Sequence, residues 1–425
     1  MIARTSLRLV PPATLVVALL GFLPGRSAAQ APAPAVVALS DSSVVSLITI
    51  LPGRKLYSLF GHTILRVRDP VAGLDAGFNF GTFDFPESPA GGAAFVARFA
   101  YGRLDYQLSA SGAPLRAVAW YWEQEERPSI EQTLDLTLAQ RRELFRALVE
   151  NARPENRSYR YDFFFDNCAT RPRDVIESVA GDGLRSRLAE PAESFRRLLD
   201  PYLAERPGLD LAMDLGLGPP ADREASARDA LFLPEWLMRW VAAARIEGPE
   251  GTRSLVSRTD TLAWGPGAAE RERAPDWPRV LLWLLAIAGA WTTIRDLRVG
   301  RPMRRWLDGA LFTALGAAGI VLAFLVFVSI HAVTKGNLNL MWAIPFHVVP
   351  GFALLRGWRR RWLRPYMLAT LALLVVFLAG WPVWPQEIPG TVLPLVLLAA
   401  ARAGVLALPA PPASSDDQAA EATSR

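Results

Sequence analysis

From Val280 to Val405 the chain alternates long apolar runs with clusters of arginine, and this pattern limits its fold more than any other feature. The runs fall at 280–294, 309–333, 338–355, 367–385 and 392–405. A helix needs roughly 20 apolar residues to cross a bilayer. The middle three runs meet that length; the first does so when Trp277 and Pro278 are counted, and the last is marginal and interrupted by Arg402. Between the first and second runs lie Arg295, Arg298, Arg301, Arg304 and Arg305, and between the third and fourth lie Arg356, Arg359, Arg360, Arg361 and Arg364. Arginine in alternate loops marks the cytoplasmic side. The segments 331–339 and 381–390 then face outward, and so does everything before the first span. Residues 279–406 therefore read as an all-α membrane domain of about five helices, with a disordered tail at 407–425. The formal charge of +5 belongs largely to these loops, which argues against nucleic acid as a partner.

The N-terminus agrees with export. Arg4 and Arg8 precede an apolar stretch (residues 13–23) and the small residues Ser27, Ala28 and Ala29, the pattern of a signal peptide over 1–29. No cysteine stands at the cleavage site, so lipoprotein processing is not indicated. The expected location is the bacterial inner membrane, multi-pass, with the N-terminal domain on the periplasmic side.

Residues 36–190 mix strand and helix patterns without regular alternation, the mark of an α+β domain. Strands are expected at 44–51, from His62 to Asp69, at 77–85, 104–108 and 130–136. The second and third should pair as a hairpin. Helices are expected around Phe95 and Phe99, over 114–125 with Leu115, Val118, Ala119 and Trp122 on the buried face, and after the capping box Thr137–Gln140. A helical extension follows over 191–264, its Trp236, Leu237 and Trp240 reading as ordinary core and its end (252–264) as a small hairpin. Residues 265–278 form a linker.

Cys168 is the only cysteine, and a single thiol in an oxidising compartment calls for an explanation. It follows Asp166 and Asn167 and precedes Val175, Ile176 and Val179 at helical spacing, so it stands at a helix start, where the dipole favours a thiolate. Pro172 fits only within the first turn of that helix. Of three histidines, His331 and His347 lie in the apolar C-terminal part, leaving His62 to serve as base. One Cys and one His in one domain match a nucleophile–base pair; the plain alternative is a small buried thiol and a satisfied core imidazole. Asn79 and Asp84 compete to orient the ring, and Asn167 is a candidate oxyanion donor. One Cys and one His give no basis for a metal site, and no cofactor is expected. His331, Lys335, Asn337 and Asn339, in an outer membrane loop, are either solvated or held against a lipid headgroup.

The order of His before Cys resembles a permuted papain/NlpC-like arrangement, that of the lecithin:retinol acyltransferase-like group. A closer resemblance rests on Phe60-Gly-His-Thr63, on Asn79-Phe-Gly-Thr-Phe-Asp-Phe85, on Tyr101-Gly-Arg-Leu-Asp-Tyr-Gln-Leu108 and on Asn167-Cys-Ala-Thr-Arg171, followed by membrane helices. The chain resembles the Lnb family of bacterial lipoprotein N-acyltransferases. That resemblance implies transfer of a fatty acyl chain from a phospholipid donor, through a Cys168 thioester, to the N-terminal amine of a diacylated lipoprotein acceptor, with His62 as base. The alternatives are a cell-wall amidase or cysteine peptidase, and a non-enzymatic membrane scaffold or sensor.

Overall fold

The computed structural model describes residues 37–82, 89–248, 251–265, 272–299, 304–358 and 361–408. The expected signal peptide, Asp84, residues 266–271 of the linker and the C-terminal tail from 409 lie outside the described residues. The chain divides into two compact units, residues 1–205 with 224–272, and residues 206–223 with 273–425.

The first unit is built on an antiparallel sheet of seven strands in the order β10-β5-β1-β2-β3-β4-β6. Its strands are β1 (Val44–Ile50), β2 (His62–Asp69), β3 (Leu74–Thr82), β4 (Asp105–Ser111), β5 (Ser129–Leu134), β6 (Ser158–Arg160) and β10 (Val256–Ala263). A smaller sheet holds β7 (Leu184–Ser186), β8 (Ala244–Gly248) and β9 (Gly251–Ser254). Residues 252–264 are therefore not a separate hairpin: β9 pairs with β8, while β10 leaves that sheet and joins β5 in the large one. Pairing of β2 with β3 is the expected hairpin, with Leu65 opposite Phe78 and Asp69 opposite Leu74.

Strand alternation sends Leu65, Val67, Phe78 and Phe80 into the main core, where they meet Leu144, Phe145 and Leu148 of the helix Leu138–Asn151. That helix opens on the expected capping box, Thr137 accepting from the Gln140 backbone and Gln140 accepting from the Thr137 N–H. Leu237, Trp240 and Val241 of the helix Pro234–Ala243 join the same core, as ordinary packing residues. The other face carries Ile48, Ile50 and Ile64 under Val118 of the helix Pro114–Glu125. The stripe on that helix differs from expectation. Pro114, Val118 and Tyr121, at successive turns, face the sheet, whereas Leu115, Trp120 and Trp122 are exposed.

In the second unit, four helices are long and apolar enough to cross a membrane: Trp277–Arg298, Arg305–Val328, Leu363–Val383 and Gly390–Ala407. The expected middle span is not one straight helix. Two short helical segments, Ala332–Met341 and Pro345–Leu355, meet at a bend of 46° and count as a fifth span or a re-entrant pair. Pro345 has no N–H to continue the helix, and the polar residues before it bond elsewhere. The Asn337 amide donates to the carbonyls of Leu215 and Leu217 and its carbonyl accepts from the Asn339 N–H. Asn339 donates to Leu215 and accepts from the Trp342 indole. Lys335 Nζ donates to the carbonyls of Val326 and Ser329. Asn337 and Asn339 are buried, and with Lys335 they hold the broken segment together; that role replaces the expected headgroup contacts. His331 has interactions of its own in the same turn.

Arg402, which seemed to interrupt the last span, is fully buried and forms two hydrogen bonds with the Asp308 carboxylate and one with Thr293 Oγ1. A complete partner set is what lets a charge sit among apolar helices.

Candidate active site

Cys168 and His62 are brought together by one glycine. A Cβ placed at Gly81 would lie 3.4 Å from Cys168 Cβ, 3.6 Å from His62 Cε1 and 3.9 Å from Tyr106 Cδ1. Gly81 has φ +103°, a conformation side chains disfavour, and sits where the β3–β4 register slips between Phe80 and Thr82. The paired register of β2 with β3 stops at Leu65 and Phe78, so the start of β2 is released on that side. Cys168 occupies the released edge. Its carbonyl accepts from the Thr63 hydroxyl, and the Thr63 backbone N–H points at its sulfur.

The approach to Cys168 is held tightly. Asp162 and Asp166 exchange backbone hydrogen bonds of 3.0 Å, closing the Phe163–Phe165 run into a turn. Asp162 Oδ1 accepts from the Phe164 and Phe165 N–H groups. Asn167 then spends its whole side chain on structure. Its amide donates to Phe163 and Phe232 carbonyls at 2.7 and 2.9 Å, and its carbonyl accepts from the Ala169 and Thr170 N–H groups. Both amide hydrogens being committed, Asn167 is a cap and not a free oxyanion donor. The helix runs Thr170–Ala180, two residues past Cys168, so Pro172 falls in the first turn and no helical bond is lost.

The imidazole is oriented by Asn79. His62 Nε2 and Asn79 Oδ1 are 2.6 Å apart. An amide oxygen only accepts, so Nε2 carries the proton and Nδ1 keeps its lone pair. The Asn79 amide donates in turn toward the Tyr121 hydroxyl, whose ring lies 6.1 Å from the imidazole. Asp84, the competing orienter, lies outside the described residues.

Electrostatics differ from the expectation for a helix start. Both side chains are only partly buried, yet desolvation by the surrounding aromatic groups pushes the Cys168 thiol up to about 11 and the His62 imidazole down to about 4. At neutral pH the pair is a thiol beside a free base, not a thiolate–imidazolium ion pair. At the helix start the Ala169 and Thr170 N–H groups are already taken by Asn167 Oδ1. No hydrogen bond joins the sulfur to the ring among the described residues, though both side chains approach Gly81. The phenols of Tyr106, Tyr159 and Tyr161 are raised by burial and stay neutral nearby. The described residues contain no group of three or more metal-binding side chains.

Arg127 was not visible as a site residue from sequence. It is buried just before β5, with Ser129 and His62 both paired to Ile50, so it lies at the His62 end of the sheet. The run of charges from Glu123 to Arg127 reads as a solvated helix end, and only the cross-strand pairing shows otherwise.

Two family models match this chain: the Lnb N-terminal periplasmic domain over residues 34–201, and the Lnb transmembrane domain over residues 270–409. The chain belongs to the Lnb family. It is a multi-pass membrane protein with a mixed α+β periplasmic domain followed by four to five apolar helices, as expected for the family. No curated protein and no solved structure matches it. In this Lnb-family chain the two matched regions contain every expected site residue, His62 to Cys168 in the first and His331 to Asn339 in the second.

Proposed function

We propose that this protein is a thiol acyltransferase that moves a fatty acyl chain from a phospholipid, through a Cys168 thioester, to the N-terminal amine of a diacylglyceryl-lipoprotein. The observation that carries this reading is the meeting of the chain's one thiol with an Asn79-oriented, neutral imidazole at Gly81. Membership in a family pairing a periplasmic domain with membrane helices supports it, because both lipid substrates are confined to the bilayer.

His62 Nδ1 takes the Cys168 proton as sulfur attacks the ester carbonyl of the donor. The carbon–oxygen bond breaks, the proton passes to the leaving alkoxide, lysophospholipid departs and the acyl group stays on sulfur. The lipoprotein amine then attacks the thioester, His62 accepts its proton, and the thiol is restored as the amide forms. Backbone N–H groups near Cys168, that of Cys168 first, are the proposed oxyanion donors. Because both partners rest neutral, charge separates only in the transition state, after a small closure of sulfur on ring. The exposed Leu115, Trp120 and Trp122 give the helix over this face an apolar surface suited to lipid. In the membrane unit, the proposed orientation places both arginine clusters in the cytoplasm.

The test is intact-protein mass spectrometry of the full chain incubated with phospholipid and no acceptor. An acyl-sized adduct on Cys168, absent from Cys168→Ala, is expected. Release of cell-wall fragments with no adduct would favour an amidase or peptidase, and unchanged lipoprotein N-termini in cells carrying Cys168→Ala would favour a scaffold.

A further inference from the structure

Arg127 is a cation in the wrong place for a structural one. It is only 2% exposed, yet no carboxylate lies within ion-pairing distance among the described residues. Its Nε donates to the Leu51 carbonyl at 2.9 Å, and its Nη2 is buried with no partner. The guanidinium lies 4.9 Å from the centre of the Tyr121 ring, and that ring lies 6.1 Å from the His62 ring. A buried charge left short of partners costs stability, and its place one aromatic ring away from the His62 imidazole indicates what the cost secures. The groups around the thiol are His62 and the phenols of Tyr106, Tyr121, Tyr159 and Tyr161. Glu125 and Tyr57 face Arg127 from the helix end and the loop below, and the Glu125 carboxylate is occupied by the N–H groups of Arg54 and Lys55 and the Ser58 hydroxyl. Arg171 is neutralised by two hydrogen bonds to Asp166. Among the described residues, Arg127 is thus the one full charge that bears on the sulfur.

We propose that Arg127 is a positioning residue that acts by charge: its buried cation favours the anionic states of the Cys168 site, the task the capped helix terminus does not perform. It lowers the thiol and the imidazole together, stabilising thiolate and developing oxyanion while keeping His62 a free base. The role in turnover rests on the acyltransferase reading, but the charge effect is measurable without it.

The experiment compares full-length wild type, Arg127→Met and Arg127→Lys by the rate of Cys168 alkylation with iodoacetamide from pH 6 to pH 10, and by the NMR titration of His62. Loss of a cation raises both groups. Alkylation in Arg127→Met should fall about tenfold at each pH, one pKa unit being a factor of ten, while the His62 midpoint rises. Arg127→Lys should recover most of both. A merely loosened site would admit water, moving the imidazole up and the thiol down, so alkylation would speed up. Faster alkylation, an unchanged rate, or no recovery by lysine each overturns the proposal. An Arg127→Met that behaves as expected in a protein forming no acyl adduct would leave the charge effect standing and remove the acyltransferase reading instead.

Discussion

Two buried arginines, one in each unit, look alike by exposure and differ in everything else. Arg402 is bound by the Asp308 carboxylate and Thr293, so its hydrogen-bonding capacity is largely used within the helix bundle. Arg127 has one carbonyl, one aromatic face and an orphan N–H. The same contrast separates the surrounding groups. Asn337, Asn339 and Gln386 bond to one another and to Leu215 and Leu217, whereas Cys168 and His62 converge without bonding. Completed polar networks hold structure, and incomplete ones keep capacity for a reacting molecule.

The largest effects should come from the incomplete network. Cys168→Ala and His62→Ala should abolish acyl transfer, a loss of at least about 1,000-fold, with melting temperature kept; mass spectrometry of the adduct and of lipoprotein N-termini reads this. A large stability loss in either variant would move them into the structural class. Arg402→Met tests the completed network and should behave in the opposite way. Leaving Asp308 buried and unpaired should destabilise the protein by about 3–5 kcal/mol, with much of that recovered when Asp308→Asn is added. Denaturation of the purified protein in detergent checks both. Asn79→Ala should slow turnover about 10- to 100-fold at little cost to stability, because the ring loses both its orientation and a hydrogen bond that raises its basicity. An unchanged kcat would remove Asn79 from the site.

The smallest effect is one of pH. His62 is depressed to about 4 by burial, so its neutral form is favoured in the folded state. The stability this group contributes is complete above its unfolded value of about 6.5 and is lost as pH falls through 4. The thiol, raised to about 11, ionises only above that. kcat/KM should therefore stay nearly flat from pH 5 to 9, and an acid limb near 6.5 would show that the ring is not desolvated.

Much of the architecture could be read locally. Apolar run length marked the membrane helices, and strand alternation around His62 and Phe78 marked the central hairpin. The capping box at Thr137 and the helix after Cys168 were likewise visible, since caps and periodicity act over a few residues. Partner-dependent features were hidden. Trp122 matched a buried stripe but faces outward, since Val118 and Tyr121 meet the sheet first. β10 looked like half of a small hairpin, and only long-range pairing with β5 takes it elsewhere.

By itself, then, the order of residues determined which chemistry was available: one thiol, one polar-domain histidine, and apolar spans alternating with arginine. Those are matters of composition and short-range periodicity. Tertiary structure decided how the groups behave. Desolvation holds Cys168 and His62 neutral, the hydrogen bonds of Asn167 cap the helix that follows the thiol, and cross-strand register sets Arg127 at the His62 end of the sheet. Protonation follows solvation and neighbouring charge, and both are set by residues distant in sequence.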